Sequence, residues 1–341
     1  MGNKREYNLN KISNGVKYDV ITIGGATEDI TFYTKEGILI NNKKDLIRQK
    51  LLAFEYGAKI KIDKSFSGFG GGAANAAVNL SNFGFKAACL SAIGGDERGQ
   101  RILSNFKKRG VDIALIQKVK NKETGFSFLL VGPTNEHIVF SNRAANNQLA
   151  IGDYELRIMK NADWIYLTSL SGEWKNNLEK IFSVKSGKIA WNPGHRQILT
   201  GVLNLSKYFK RTTCLILNKD EAIELAISLK KYKNKGPAFL NKVKNLLLIL
   251  SSYGPKIVLI TSGRHGASAI AEGKIYHRPV IKEKQRADTT GVGDAFGSAF
   301  IAGLELYKQD IKKSLLLASK NAASVVSLPG AQNGLLNKKD I

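Results

Sequence analysis

Short apolar runs alternating with helix-length segments set the tightest limit on how this chain can fold. Tyr18–Ile23 (YDVITI) has a buried-strand pattern ending in Gly24–Gly25; Gly72–Gly84 follows with small and apolar residues at helical spacing and a glycine stop. Ala87–Ile93 reads as a strand and Glu97–Arg109 as an amphipathic helix closed by Gly110. Further strands are expected at Asp163–Thr168, Lys188–Trp191, Cys214–Leu217 and Lys256–Thr261. Further helices are expected at Glu173–Ser183, Lys219–Leu229, Asp294–Tyr307 and Ile311–Leu328. Strands separated by helices return in the same direction, so the pattern predicts a three-layer α/β/α domain with a mainly parallel sheet.

Two stretches break the alternation. Ile30–Gly68 holds period-2 segments such as Lys59–Asp63 (KIKID), and Phe126–Phe140 is two alternating runs around Gly132–Pro133–Thr134–Asn135, a hairpin signal. Strands without helices inserted in an α/β pattern predict a small separate β-sheet. We read residues 30–68 and 120–145 as that sheet, a lid over the open strand ends, inserted in a domain spanning residues 18–335.

At 341 residues the chain can bury roughly three quarters of its unfolded surface, so its core needs no disulfide or structural metal. Cys89 and Cys214 lie in apolar runs without a CxxC spacing and read as buried thiols of a reducing compartment. The formal charge of +24 invites a nucleic-acid reading, but the excess is scattered lysine without an aromatic-interleaved stripe. No specific nucleic-acid partner is expected; a basic surface favours anionic substrates such as nucleotides. The longest apolar run, Leu246–Leu250, is far short of the roughly 20 residues that span a bilayer. The opening MGNKREYNLN is too polar for a signal peptide, and Glu6 stands where myristoylation needs Ser or Thr. The expectation is a cytoplasmic protein without a membrane partner.

The most informative segment is Asp288–Phe296 (DTTGVGDAF). Gly291 and Gly293 let consecutive N–H groups converge on one anion, and the following helix aims its positive end at the same place. Asp294, at that helix start, is suited to accept a proton from a hydroxyl attacking a phosphoryl group; its other reading is an N-cap.

This segment resembles the C-terminal motif of the ribokinase/PfkB carbohydrate kinases, DTTGAGD, with Val292 for the usual Ala. Gly70–Gly84 (GGGAANAAVNLSNFG) and Ile93–Gly99 (IGGDERG) resemble the N-terminal elements of the same family, and the likeness runs from Tyr18 to Gln332. The resemblance implies a ribokinase-like kinase with Asp294 as catalytic base and the amides of Gly291, Val292 and Gly293 as anion hole. It implies Asp29, with Glu28 competing for the assignment, and Gly71, Gly72 and Asn75 as substrate ligands. Arg143 in SNRAAN resembles the family's RGAN at the lid return; a solvated arginine is its other reading.

On the nucleotide side, the resemblance assigns Asn218 and Glu221 (NKDE) to the magnesium–phosphate region, a pattern that is equally a helix cap. It assigns Thr261, Gly263 and Gly266 (TSGRHG) to a nucleotide loop, in which His265 is read as solvated. Asn321 and Gly330–Gln332 are assigned to the adenine-side wall, and Asp288 and Thr290 to a monovalent cation, usually K+. Mg2+ and ATP are thus expected, with a sugar acceptor, or a nucleoside if lid aromatics such as Phe32, Phe66 and Phe69 stack on a base. A homodimer through the lid is a further implication. The chain departs from the family at Trp191–Arg196 (WNPGHR), which lacks the Asp of the Asp-x-Asn-x-x-Arg element of sugar-acid kinases. It departs again at Ala26–Asp29, which lacks the ribokinase Asn-x-Asp. Neither a P-loop nor a protein-kinase motif set is present.

Overall fold

The computed structural model describes residues 16–42, 50–132, 137–283 and 287–341. The polar opening and the centre of the expected hairpin turn, residues 133–136, lie outside the described residues. Eight strands form the main sheet in the spatial order Lys274–Arg278, Ala267–Ala271, Ile257–Thr261, Cys214–Asn218, Lys188–Trp191, Trp164–Leu167, Val20–Ile23 and Ala87–Leu90. The six from Ile257–Thr261 to Ala87–Leu90 are parallel. The remaining two add antiparallel at one edge and were not anticipated. Ala87–Ile93, expected as one strand, is divided: Ala87–Leu90 joins the main sheet, and Ala92–Gly94 pairs with Gln117–Val119.

Alternation along each strand sorts the core into two layers, because successive side chains leave opposite faces of a sheet. Ile21, Ile165, Ile189, Leu215 and Val258 pack on one face against helices including Trp174–Ser183, Gly201–Phe209 and Val243–Ser251. Val20, Trp164, Ala190, Cys214 and Leu259 pack on the other against Gly72–Asn82, Val292–Leu306 and Ile311–Val326. Both cysteines are buried and free. No helix among the described residues is long and apolar enough to cross a membrane.

The chain moves from Val20–Ile23 first to Ala87–Leu90 on one side and later to Trp164–Leu167 on the other. The carboxyl ends of such a divergence form a crevice where open α/β sheets bind ligands. Strand Val20–Ile23 leaves that crevice through Gly24–Ala26 into Thr27–Tyr33, an inner strand of a separate four-stranded sheet. Its order is His137–Asn142, Phe126–Val131, Thr27–Tyr33 and Lys64–Gly70, in agreement with the expected lid. KIKID, expected as a strand, is not one: the strand begins at Lys64, and the segment before it is tied to the lid by Asp63 N–H donating to Tyr33 O (2.8 Å) and Thr34 Oγ1 donating to Lys61 O (2.9 Å).

Candidate active site

Period 2 separates Glu28 from Asp29. Glu28 leaves one face of its strand and is taken by Arg101 (Nε–Oε1 2.8 Å, Nη2–Oε2 2.9 Å) and Arg98 (3.3 Å). Asp29 leaves the other face with Thr31 and Tyr33, opposite Gly68 and Ser127 in register. Gly70 makes room for it, since a Cβ there would overlap the Asp29 carboxylate. Thr27 Oγ1 donates to Asp29 Oδ1 (2.9 Å). Burial raises the Asp29 pKa; hydrogen bonds from Thr27 and Ser127 and the charge of Arg143 oppose the rise, whereas Asp294 adds to it. Arg143 is therefore part of the same electrostatic group, although the residue is exposed overall.

Asp294 is not a cap. The helix starts at Val292, with Gly291 as N-cap at φ +71°, which puts Asp294 in the first turn at the positive end of the helix. The left-handed turn is restricted to glycine here by φ and by space, because a Cβ on Gly291 would overlap that of Ala331. Asn75 Nδ2 donates to Asp294 Oδ2 (2.8 Å). Burial raises the Asp294 pKa and the Asn75 hydrogen bond opposes it. Gly72 allows the approach: a Cβ there would sit 3.3 Å from Asp294 Oδ1 and 3.1 Å from Thr168 Cβ. Gly71, at φ +89°, caps the helix that carries Asn75. Asp29, Gly71, Gly72, Asn75, Arg143, Gly291 and Asp294 thus gather at the switch point of the sheet.

The lid reaches the DTTGVGD loop. His137 Nδ1 lies 3.1 Å from Thr289 Oγ1, and Phe66 contacts the chain at Gly330, where a Cβ would come within 2.6 Å of Cε1. Phe69, by contrast, packs with the helix core, and Phe32 stacks on Phe128 (5.9 Å) on the face away from Asp29.

Asn218 and Thr261 are neighbours at the ends of adjacent strands. Asn218 and Glu221 form a capping box: Glu221 N–H donates to Asn218 Oδ1 (2.9 Å), and Asn218 N–H donates to Glu221 Oε2 (2.8 Å). Burial, with Glu224, Asp220 and Asp294 adding, pushes the Glu221 carboxyl up to about 7. Gly263, at φ +52°, faces open space, whereas Gly266 is pressed against the edge strand at Arg278 O and Pro279. His265 is exposed. Asn321 does not join this group. It is fully buried; its Nδ2 donates to Asn79 Oδ1 (3.2 Å) and Ala295 O (3.0 Å), and its Oδ1 accepts from Leu336 N–H (2.8 Å). The wall role expected for it thus gives way to a staple between helices.

Asp288 is 2% exposed, and among the described residues no cationic side chain pairs with it. Its Oδ1 accepts from Thr290 N–H (2.9 Å) and Oγ1 (2.7 Å), and its Oδ2 from Gly330 N–H (3.0 Å). Tyr33 Oη, buried without a hydrogen-bond partner among the described residues, feels the same charge. A buried anion beside an unsatisfied oxygen fits a hard monovalent cation. Among the described residues no three His, Cys, Asp or Glu side chains converge on a metal.

One residue escaped sequence reasoning. Asn146, 4% exposed, accepts from Ala26 N–H (3.1 Å) and donates to Ala26 O (3.0 Å), clamping the turn between sheet and lid. Gln332, expected at the adenine-side wall, donates through Nε2 to Asn75 Oδ1 (3.1 Å). Ala144, between Arg143 and Asn146, stands at φ +39°. Ala144→Gly is expected to stabilise the fold by about 1 kcal/mol in urea denaturation, by removing left-handed strain; an unchanged or lower midpoint would show the strain to be absent.

A model of the pfkB family of carbohydrate kinases matches residues 44–338. The chain belongs to that family. It is a phosphotransferase acting on an alcohol group, of the sugar and nucleoside kinase type. This kinase is similar to a ribokinase of Haemophilus influenzae, 27% identical over 286 residues that cover 80% of this chain and 85% of the relative. Its fold matches a ribokinase of Arabidopsis thaliana solved with ribose and ATP: TM-score 0.75, 18% identity, 95% and 97% of the two chains covered. A nucleoside kinase of Methanocaldococcus jannaschii matches with TM-score 0.73 at 21% identity, covering 96% and 97%.

Proposed function

We propose that this kinase transfers the γ-phosphoryl group of ATP to a hydroxyl of a sugar or sugar-like small molecule, with Asp294 as the base. The observation that carries the reading is the Asp294 carboxylate itself: held by Asn75, set in the first turn behind a left-handed glycine, and grouped with Asp29 under the lid. Asp29 and the backbone around Gly71 and Gly72 hold the acceptor, with Arg143 near its far side. Asp294 takes the hydroxyl proton as the oxygen bonds to the γ-phosphorus and the bond to the leaving ADP oxygen breaks. The amides of Gly291, Val292 and Gly293 receive the charge of the transferring group. The lid excludes water that would otherwise compete as acceptor.

On the nucleotide side, Asn218, Thr261 and the open Gly263 lie at adjoining strand ends. Glu221 stands near the phosphates, where Mg2+ would offset their charge. Asp288 and Thr290 would hold K+ and so fix the loop that precedes the anion hole. The buried free thiols support a reducing, cytoplasmic setting. Phe128 (37%), Ile138 (37%) and Phe140 (57%) are exposed on the lid face away from Asp29, next to the open edge of His137–Asn142, which supports a homodimer through the lid.

A nucleoside acceptor is the second reading, favoured by Phe66, which lies on the Asp29 face of the lid against Gly330. The test is ADP release from MgATP with KCl against pentoses, hexoses, sugar acids, sugar phosphates and nucleosides. Turnover on a sugar-type acceptor supports the first reading, turnover confined to nucleosides the second, and bound ATP with no turnover on any acceptor overturns both.

Glu221 yields a separate expectation for the ligand-free protein. Its folded pKa of about 7 exceeds the ordinary 4.5, so the folded state binds more protons than the unfolded chain between those values, and stability declines as pH rises through them. Glu221→Gln keeps the capping geometry and removes the charge. It is expected to stabilise the protein at pH 8 by about 1–3 kcal/mol relative to wild type and far less at pH 5. Equal gains at both pH values in urea denaturation would refute this origin.

A further inference from the structure

Asp294 terminates a run of amides drawn from three distant segments of the chain. Asn75 Nδ2 donates to Asp294 Oδ2 (2.8 Å), Gln332 Nε2 to Asn75 Oδ1 (3.1 Å), and Asn105 Nδ2 to Gln332 Oε1 (2.8 Å). Asn75 and Gln332 are each 5% exposed, and Arg109 Nη2 donates to the Gln332 carbonyl (3.4 Å). An ionised carboxylate only accepts, so Asn75 must turn its NH2 toward Asp294 and its oxygen away. That oxygen needs a donor, which orients Gln332, and the Gln332 oxygen orients Asn105 in turn. The polarity of the whole run is set at one end by the charge on Asp294 and held at the other by Asn105 on helix Glu97–Lys108.

We propose that Gln332 and Asn105 are positioning residues that lock the Asn75 amide with its N–H on Asp294 and so keep that carboxylate ionised. The proposal rests on Asp294 being the base. Without Gln332, the Asn75 amide is free to rotate and present its oxygen to Asp294, which favours the protonated acid. The other groups facing Asp294 are unaffected by the change: Asp29 from the lid strand, Glu221 from helix Lys219–Ile227, the Tyr166 hydroxyl from the central strand, and the amides of its own helix start. The two acids oppose ionisation and the helix amides favour it, which leaves the Asn75 N–H as the side-chain hydrogen bond that offsets burial.

The experiment is a direct titration of Asp294 in the full-length, ligand-free protein by 13C NMR of aspartate labelled at the carboxyl carbon, the resonance being assigned by its absence from Asp294→Asn. Gln332→Leu is expected to raise the Asp294 midpoint by about one pH unit, and Asn105→Leu to raise it by less, with the other aspartate resonances unmoved. A midpoint unchanged or lowered in both variants overturns the proposal. If Gln332→Leu does not fold, Asn105→Leu, at the less buried end of the run, decides alone. The base reading fails by a different outcome, persistence of turnover in Asp294→Asn, so the two failures are distinguishable.

Discussion

Asp294→Asn is expected to lower kcat by roughly 10²–10⁴-fold while the protein remains folded, the range a positioned general base contributes. The replacement is nearly isosteric and leaves the helix start intact, because Asp294 makes no capping hydrogen bond. Its new amide faces the NH2 of Asn75 and cannot receive a proton from the acceptor. MgATP affinity is expected to change little, since the proposed anion hole would consist of backbone N–H groups that the substitution leaves in place. Stopped turnover with retained ATP binding in one titration series supports the assignment. Turnover within a few-fold of wild type would remove Asp294 from the mechanism and return it to the electrostatics of the helix start.

Gly291→Ala is the second large effect. At φ +71° an alanine costs about 1–2 kcal/mol in backbone strain, and its Cβ collides with Ala331, whose Cα would lie 2.7 Å away. Overpacking of this kind adds about 1–3 kcal/mol. The expected result is a lower urea midpoint, together with a fall of about 10²–10³-fold in kcat, because the amides of the proposed anion hole would be turned aside. Gly293→Ala is the control: a Cβ there meets nothing within 4 Å and φ is not positive, so its stability should be nearly that of wild type. Equal destabilisation by the two variants would show that the fit against Ala331 is not what requires glycine at position 291.

The α/β order and the separate small sheet were legible in the residues alone, because each is a local pattern. Strand and helix periods are written into neighbouring residues, and a left-handed glycine turn into a helix start is signalled by Gly291 and the residues beside it. Even the choice between Glu28 and Asp29 was implicit in period 2, although only the arginines on helix Glu97–Lys108 reveal which face is which. The helices Asp153–Met159, Gly201–Phe209 and Val243–Ser251 escaped because their apolar spacing is short, and the antiparallel edge pair, although it is made of sequence-adjacent hairpins, escaped because Lys274–Arg278 alternates charged residues with few apolar ones.

What the tertiary structure alone decided is which polar group serves which. Asn75, expected as a substrate ligand, donates to the carboxylate 219 positions later; Gln332 reaches back 257 positions to donate to it, and Asn146 clamps a turn 120 positions before it. Asn321 spends every polar atom within the core. Side-chain amides are short, and each can both donate and accept. Their partners are therefore fixed by which segments the packed core brings within about 3 Å, a distance that no sequence spacing encodes.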